Sequence, residues 1–244
     1  MKNIFTKIGI IYLIILLCNK CINIYAFDKN SINFESITID DGLSQSLVEY
    51  IYQDSFGYIW IGTNDGLNRY NGNEFKVYKN IKNDINSISN NMISSLVEDE
   101  DKNLWIGTDG GLNKMNLITG DITRYLVSDD DKVRSNTVVD ELLIDSKGRL
   151  WVCTINGLNL YDSKNDTFVK VASEYLENKG LQAIDEDCEG NIWVSTREGL
   201  YKYNPSNNEI EEFLHDKNNP NTISENNIFS VYYSEKKLWI GTKT

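Results

Sequence analysis

Histidine and proline are almost missing from this chain, with one His and two Pro in 244 residues. The lone histidine, His215 in "EEFLHDKNNP", has no cysteine or second histidine near it in sequence. A zinc site or a Ser-His-Asp triad would need partners that no motif supplies, so His215 reads as a solvated surface residue. Cysteine is scarce too. Of four, Cys18 and Cys21 fall in the first 26 residues, leaving Cys153 in "WVCT" and Cys188 in "DEDCEGN". These two lie on different parts of different repeats, so no disulfide is expected and both read as small buried or turn residues. Positive charge is also in deficit, with 24 Lys and Arg against 36 Asp and Glu and a net charge of −12. There is no basic stripe and no glycine-rich phosphate loop. That balance opposes nucleic acids and anionic membranes, and makes neutral sugars or cations the easier ligands.

Long apolar runs are absent except at the start. Lys2 and Lys7 precede an unbroken apolar stretch from Ile8 to Leu17, and "NIYA" ends in a small residue, Ala26. This is the layout of a secretory signal peptide at 1–26, with an uncleaved anchor as the alternative. The stretch is short for a membrane span, which needs about 20 residues. A lipoprotein reading of Cys18 or Cys21 fails, because Leu17 and Lys20 stand where a small residue is wanted. The rest of the chain is therefore expected outside the cytoplasm.

What is abundant is repetition. "YIWIGTNDGLNRYN", "NLWIGTDGGLNKMN", "RLWVCTINGLNLYD", "NIWVSTREGLYKYN" and "KLWIGTKT" place Trp60, Trp105, Trp151, Trp193 and Trp239 at intervals of 45, 46, 42 and 46 residues. Periods of this size signal a solenoid or a propeller. Six residues before the tryptophan stands Asp54, Asp99, Asp145 or Asp187. Three residues beyond that Asp comes Gly57, Gly148 or Gly190, with Lys102 as the exception. Asp opening a turn and Gly supplying positive φ predict a hairpin between an apolar strand and the Trp strand. Thr63, Thr108, Thr154 and Thr196 follow the tryptophans, and Gly66, Gly111, Gly157 and Gly199 open a third strand after two-residue turns. A looser fourth strand follows in each repeat ("EFKVYK", "DITRYLV", "TFVKVA", "EIEEFL").

Four short antiparallel strands per period make a propeller blade. The fold class is therefore all-β, a β-propeller with about four blades near 43–80, 88–127, 134–172 and 180–214 and the start of a fifth at 223–244. The recurring Trp, Thr and Gly are expected to be architecture, since a tryptophan between adjacent sheets buries about 150–250 Å². Residues 33–39 ("NFESITI") look like an outer strand with no blade of its own, of the kind lent to close a ring. The ring is incomplete, and the chain is expected to be a fragment.

The string Asp-x-x-Gly-x-(Ile/Leu)-Trp-(Ile/Val)-Gly-Thr-x-x-Gly-Leu, first met between Leu43 and Tyr78 and repeated afterwards, resembles the two-component regulator propeller family. Ser195 and Tyr201 depart mildly from it, and the fifth repeat lacks one residue before Trp239. Trp-Asp and kelch signatures are absent. The resemblance implies further blades, a membrane helix, and an intracellular histidine kinase or diguanylate cyclase, none of them within these residues.

No cofactor and no metal are expected. "DEDCEGN" (185–191) and "DEDKN" (99–103) lack the spacing of an EF-hand and coincide with the recurring turn, and "DDD" (129–131) reads as a solvated loop. Ligand-binding candidates are the turns between second and third strands, which supply Asn64, Asp65, Asp109, Asn156, Arg197 and Glu198. The leading expectation is an extracellular sensor for a small ligand such as an oligosaccharide, signalling through dimerisation of the full-length protein. A secreted binding or adhesion propeller is the alternative. A propeller lyase or glycosidase lacks a visible catalytic set in this chain.

Overall fold

The computed structural model describes residues 34–125 and 138–243. The leader at 1–26 and the "DDD" loop lie outside the described residues. The chain divides into two units, 1–36 and 37–244, and all of the regular structure described belongs to the second.

That unit opens with a single 3-10 turn, Ile39–Asp41, held by Thr38 and Asp41 in a reciprocal cap. Four four-stranded sheets and one two-stranded sheet follow, each an antiparallel meander. Blade one is β1 (Val48–Gln53), β2 (Ile59–Thr63), β3 (Gly66–Tyr70) and β4 (Phe75–Tyr78). Blade two is β5 (Ile93–Glu98), β6 (Asn103–Thr108), β7 (Gly111–Asn116) and β8 (Ile122–Tyr125). Blade three is β9 (Val139–Ile144), β10 (Leu150–Thr154), β11 (Gly157–Asp162) and β12 (Thr167–Val171). Blade four is β13 (Leu181–Glu186), β14 (Ile192–Thr196), β15 (Leu200–Asn204) and β16 (Glu209–Phe213). β17 (Ile228–Ser234) and β18 (Lys237–Thr242) begin a fifth.

Two features depart from the sequence reading. The link between blades three and four contains one helical turn, α1 (Ser173–Leu176), whose Leu176 is buried against Trp151 and Leu158. Four residues are too few to leave a 3.6-residue period. Residues 34–38 form no strand, so the expected outer strand is unpaired here, and its ring-closing role remains an expectation.

The repeated residues hold each blade by the same bonds. Asp54, Asp99, Asp145 and Asp187 each accept the indole N–H of their own tryptophan, at 2.7, 2.8, 2.8 and 2.9 Å. The other carboxylate oxygen takes the backbone N–H four residues on, as Asp54 does from Tyr58 at 2.9 Å. One side chain thus closes the hairpin and fixes the ring orientation. Each threonine hydroxyl donates to the carbonyl of the glycine three residues later, at 2.8 to 3.0 Å. Those glycines carry positive φ, from 120° to 155°, the region that L side chains avoid.

The tryptophans of the first four blades pack forward onto the next sheet. Trp60 is buried with Ile93 and Leu96 of β5, Trp105 with Val139 and Leu142 of β9, and Trp151 with Leu181 and Ile184 of β13. Gly62 and Gly107 allow this approach. A Cβ on Gly62 would lie 2.7 Å from Ile93 Cγ2, and one on Gly107 2.8 Å from Val139 Cγ1. Carboxylates latch two of the seams. Glu98 accepts the Ser55 backbone N–H at 2.7 Å and its hydroxyl at 2.5 Å, and Glu186 accepts both from Ser146 at 2.6 and 2.8 Å.

Candidate functional site

Every inner strand bulges at its second residue. The ladder skips Glu49 in β1, Ser94 in β5, Asp140 in β9, Gln182 in β13 and Phe229 in β17. A bulged residue leaves the ladder unpaired and re-aims its side chain, and bulges of this kind gather beside functional sites. Here all five residues line two pockets that meet at Asp140.

One pocket, about 380 Å³, is lined by Glu49, Asn64, Met92, Ile93, Ser94, Asp109 and Asp140. The other, about 520 Å³, is lined by Asp140, Gln182, Arg197, Asn227 and Phe229. Residues from all five inner strands or the links leading into them are therefore brought to one region. Three carboxylates line the first pocket, and Arg197 is the guanidinium of the second.

Of the six sequence candidates, three sit at these pockets: Asn64, Asp109 and Arg197. Asn64 is fixed there by its side-chain amide, which donates a hydrogen bond to Glu49 Oε1 at 3.3 Å, and by its backbone N–H, which donates to Gln45 Oε1 at 3.1 Å. Asp65 is instead bound to Lys79 at 2.6 Å, and Glu198 to Lys179 at 2.7 Å. Neither these two nor Asn156 lines either pocket. Asn64, Asp109 and Arg197, the residues that line the pockets, are each the turn residue nearer the Trp strand. The sequence reading missed the bulges. Residue type gave little signal: the bulge position varies from blade to blade, but the next one, Tyr50, Ser95, Glu141, Ala183 and Ser230, varies as widely, and nothing in residue type marks a bulge.

Asp140 is electrostatically unusual. Burial pushes its carboxyl up to about 6, Arg197 pulls the other way, and Asp109 adds to the rise. Its Oδ2 is buried with no hydrogen-bond partner. Next to it, Glu141 turns into the seam with blade four and accepts the Ile184 N–H at 3.2 Å. Burial raises Glu141 to about 7, opposed by that bond and assisted by Asp185 and Asp140.

The other acidic stretches are occupied by protein. Asp185 takes the backbone N–H of Tyr233 at 2.5 Å, Glu186 holds Ser146, and Asp187 holds Trp193 and Asn191. His215 is exposed, with its Nδ1 2.8 Å from the Ile223 carbonyl. Cys153 is buried and Cys188 is exposed, and both are free. Among the described residues no group of histidine, cysteine and carboxylate side chains is placed to hold a metal, and no helix is long and apolar enough to cross a membrane.

The family model of the two-component regulator propeller matches residues 42–65 and 87–110, the approach to and body of the Trp strand in blades one and two. This chain carries two-component regulator propeller repeats. A relative is histidine kinase P4 of Formosa agariphila, 44% identical over 79 residues, which are 32% of this chain and 6% of that protein. Among solved structures, the extracellular domain of a one-component system from Bacteroides thetaiotaomicron superposes with a TM-score of 0.56 at 20% identity, over 82% of this chain and 38% of that one. The extracellular domain of a hybrid two-component system from the same organism gives 0.54 at 19%, over 85% and 40%. Virginiamycin B lyase from Staphylococcus aureus gives 0.58 at 15%, over 79% and 62%. At these identities the structures share the propeller fold with this chain. The chain spans 38% and 40% of the length of the two extracellular-domain chains and 6% of the kinase relative.

Proposed function

We propose that this regulator propeller is the extracytoplasmic sensing part of a two-component receptor, and that it takes a small hydroxyl-rich ligand such as an oligosaccharide across its inner-strand bulges. The observation that carries the reading is the bulge at the same position of all five inner strands, with its side chain at a shared pair of pockets. Carboxylates, amides and a guanidinium offer paired donors and acceptors to hydroxyl groups, and Phe229 offers a flat apolar face to a sugar ring. A concave site with a few convergent polar groups is the usual form of a small-molecule pocket.

The regulator-propeller repeats and the kinase relative support a signalling output, and the leader supports export. A net charge of −12 disfavours a polyanionic ligand or a nucleic acid. Output by a histidine kinase, with a diguanylate cyclase as the variant, belongs to residues outside this chain. Signalling across a membrane would need the ligand to prefer one arrangement of a receptor dimer, since equal affinity for two states shifts neither.

Calorimetry of the purified chain against a panel of neutral oligosaccharides tests the reading. Binding that weakens by about 10- to 100-fold in Asp140→Asn or Arg197→Ala, the loss expected of a hydrogen bond to a charged group, supports it. Absence of any sugar binding, or binding that neither variant alters, rejects it.

A further inference from the structure

The repeats serve as controls for one another, and the seam between blades one and two departs from the others at positions that meet. In the turn before the Trp strand, Phe56 stands where blades two, three and four have Asp101, Lys147 and Glu189. Tyr58 stands where they have Asn103, Arg149 and Asn191. Each of those three side chains donates to the Asp of its own turn, at 3.0, 2.6 and 2.9 Å. Tyr58 instead lies against Arg69 of β3, whose guanidinium carbon is 4.5 Å from the ring centre. Across the seam, the turn after β7 carries Leu117 and Ile118, where blades three and four have Ser163-Lys164 and Pro205-Ser206.

These side chains and Asp54 line a pocket of about 280 Å³. It lies just past the end of β1, whereas the Glu49 bulge lies near its start, and it shares no residue with the pockets at Asp140. Both blades that form it are complete four-stranded sheets, and Trp60 already closes their seam. Phe56 and Ile118 are 55% and 73% exposed, an apolar rim at two positions that are charged or polar in the other seams.

A cation near the tryptophan is ordinary in this chain. Arg69, Lys114, Arg149 and Lys202 lie 5.9, 5.1, 5.1 and 5.8 Å from the rings of Trp60, Trp105, Trp151 and Trp193. Arg149 is paired with Asp145 and Lys202 with Glu211, and the Lys114 charge acts on Asp166. Arg69 has no carboxylate and no hydrogen-bond acceptor among the described residues. Asp54 does not serve it, because its two oxygens take the N–H groups of Phe56 and Tyr58 and the indole N–H of Trp60.

We propose that this pocket binds a small monocarboxylate with an apolar body, its carboxylate on Arg69 and its body against Phe56, Tyr58 and Ile118. The planar guanidinium fork matches a carboxylate through two parallel hydrogen bonds. The volume falls just under the usual range of about 300–1,000 Å³ for ligand pockets, so one ring or one short branched chain fits and an oligosaccharide does not. A doubly charged phosphate would set more negative charge against an apolar rim and a net charge of −12. The site is separate from the inner-strand pockets, and either can stand without the other.

A ligand-observed NMR titration of the purified chain with 3-phenylpropionate tests the proposal, with 3-phenylpropanamide as the neutral counterpart. Saturable binding of the acid is expected below about 10 mM, in keeping with so few engaged atoms. The amide is expected to bind about 10-fold or more weakly, for want of a charged acceptor. Arg69→Met is expected to weaken the acid by about 10-fold and remove its advantage over the amide. Ile118→Asp, at an exposed position, is expected to weaken both by removing the wall, and circular dichroism checks that each variant is folded. Should Arg69→Met prove unfolded, Arg69→Gln puts the same question. The proposal is overturned if the acid does not bind saturably, if the amide binds as tightly, or if either variant leaves the acid unaffected. Binding that survives Arg69→Met and is lost in Arg197→Ala would place the acid in the inner-strand pockets and overturn it equally.

Discussion

Asp54 accepts the indole N–H of Trp60 at 2.7 Å and, through its other oxygen, the backbone N–H of Tyr58 at 2.9 Å. The turn and the core are therefore closed by one carboxylate. Asp99, Asp145 and Asp187 repeat the arrangement with Trp105, Trp151 and Trp193. In the fifth sheet a two-residue turn, Glu235-Lys236, joins Ser234 to Lys237, and both turn residues have positive φ. The turn closes there by backbone geometry of the type I′ kind.

Replacing Asp99 by Ala leaves the Trp105 indole N–H, the Asn103 backbone N–H and the Asn103 side-chain amide without their acceptor. A loss of about 2–4 kcal/mol is expected, from one buried donor left unsatisfied and charged hydrogen bonds removed. Urea unfolding followed by tryptophan fluorescence measures it. A loss below about 0.5 kcal/mol, the size of an ordinary surface substitution, would show that the carboxylate does not hold the ring.

The same group sets the response to acid. Burial raises Asp145, but hydrogen bonds from Trp151 and Arg149 and the Arg149 charge outweigh it and hold the carboxyl below its usual range. Asp187 is lowered likewise, by Asn191, Trp193 and Glu189 against burial. A depressed carboxyl stabilises the fold above its unfolded value, near 3.9, and that contribution is lost as pH falls through the folded value. Melting temperature is expected to drop steeply below about pH 4, and Asp187→Asn to flatten the drop. An unchanged slope in that variant refutes the assignment.

Asp140 and Glu141 act in the opposite sense and in another window. Their carboxyls are raised to about 6 and about 7, so their contribution is complete below the unfolded values near 4 and is lost as pH rises through 6 and 7. Burial drives both rises; Arg197 opposes and Asp109 assists the one at Asp140, and Asp185 assists the one at Glu141. Thermal melts at pH 5 and pH 8 are expected to show lower stability at pH 8. Glu141→Gln is expected to narrow that gap, and an equal gap in the variant contradicts the reading.

Gly107 offers a steric test. A Cβ there would meet Val139 Cγ1 at 2.8 Å and Ser94 Oγ at 2.9 Å. Gly107→Ala is expected to cost about 1–3 kcal/mol through overpacking of the seam between blades two and three. Gly107→Ala combined with Val139→Ala should recover part of it. Failure of the pair to recover anything would place the strain elsewhere.

The blades were legible because they can be compared with one another. Trp60, Asp54 and Gly66 recur at fixed offsets, and each recurrence answers the same backbone demand, so period and residue type together locate strand, turn and seam. The pockets were less legible for the converse reason. Glu49, Ser94, Asp140, Gln182 and Phe229 share a position but no single residue type, and a bulge is a matter of register, which composition does not record. Of the turn residues, Asn64 and Asp109 were found because turns are exposed by construction. Asp65 could not be told from Asn64 without its ion pair to Lys79. α1 was invisible because one helical turn in a polar link has no periodicity to read.

The bulges separate two jobs that most strand residues must share. A residue outside the ladder can be exchanged without moving its neighbours, so Glu49, Ser94, Asp140, Gln182 and Phe229 can each vary while the Asp–Trp pairs remain as they are. Five positions with twenty choices apiece give a combination lock set into an invariant frame. The lining of the two pockets could be altered one residue at a time, each step tested separately and none requiring a new fold.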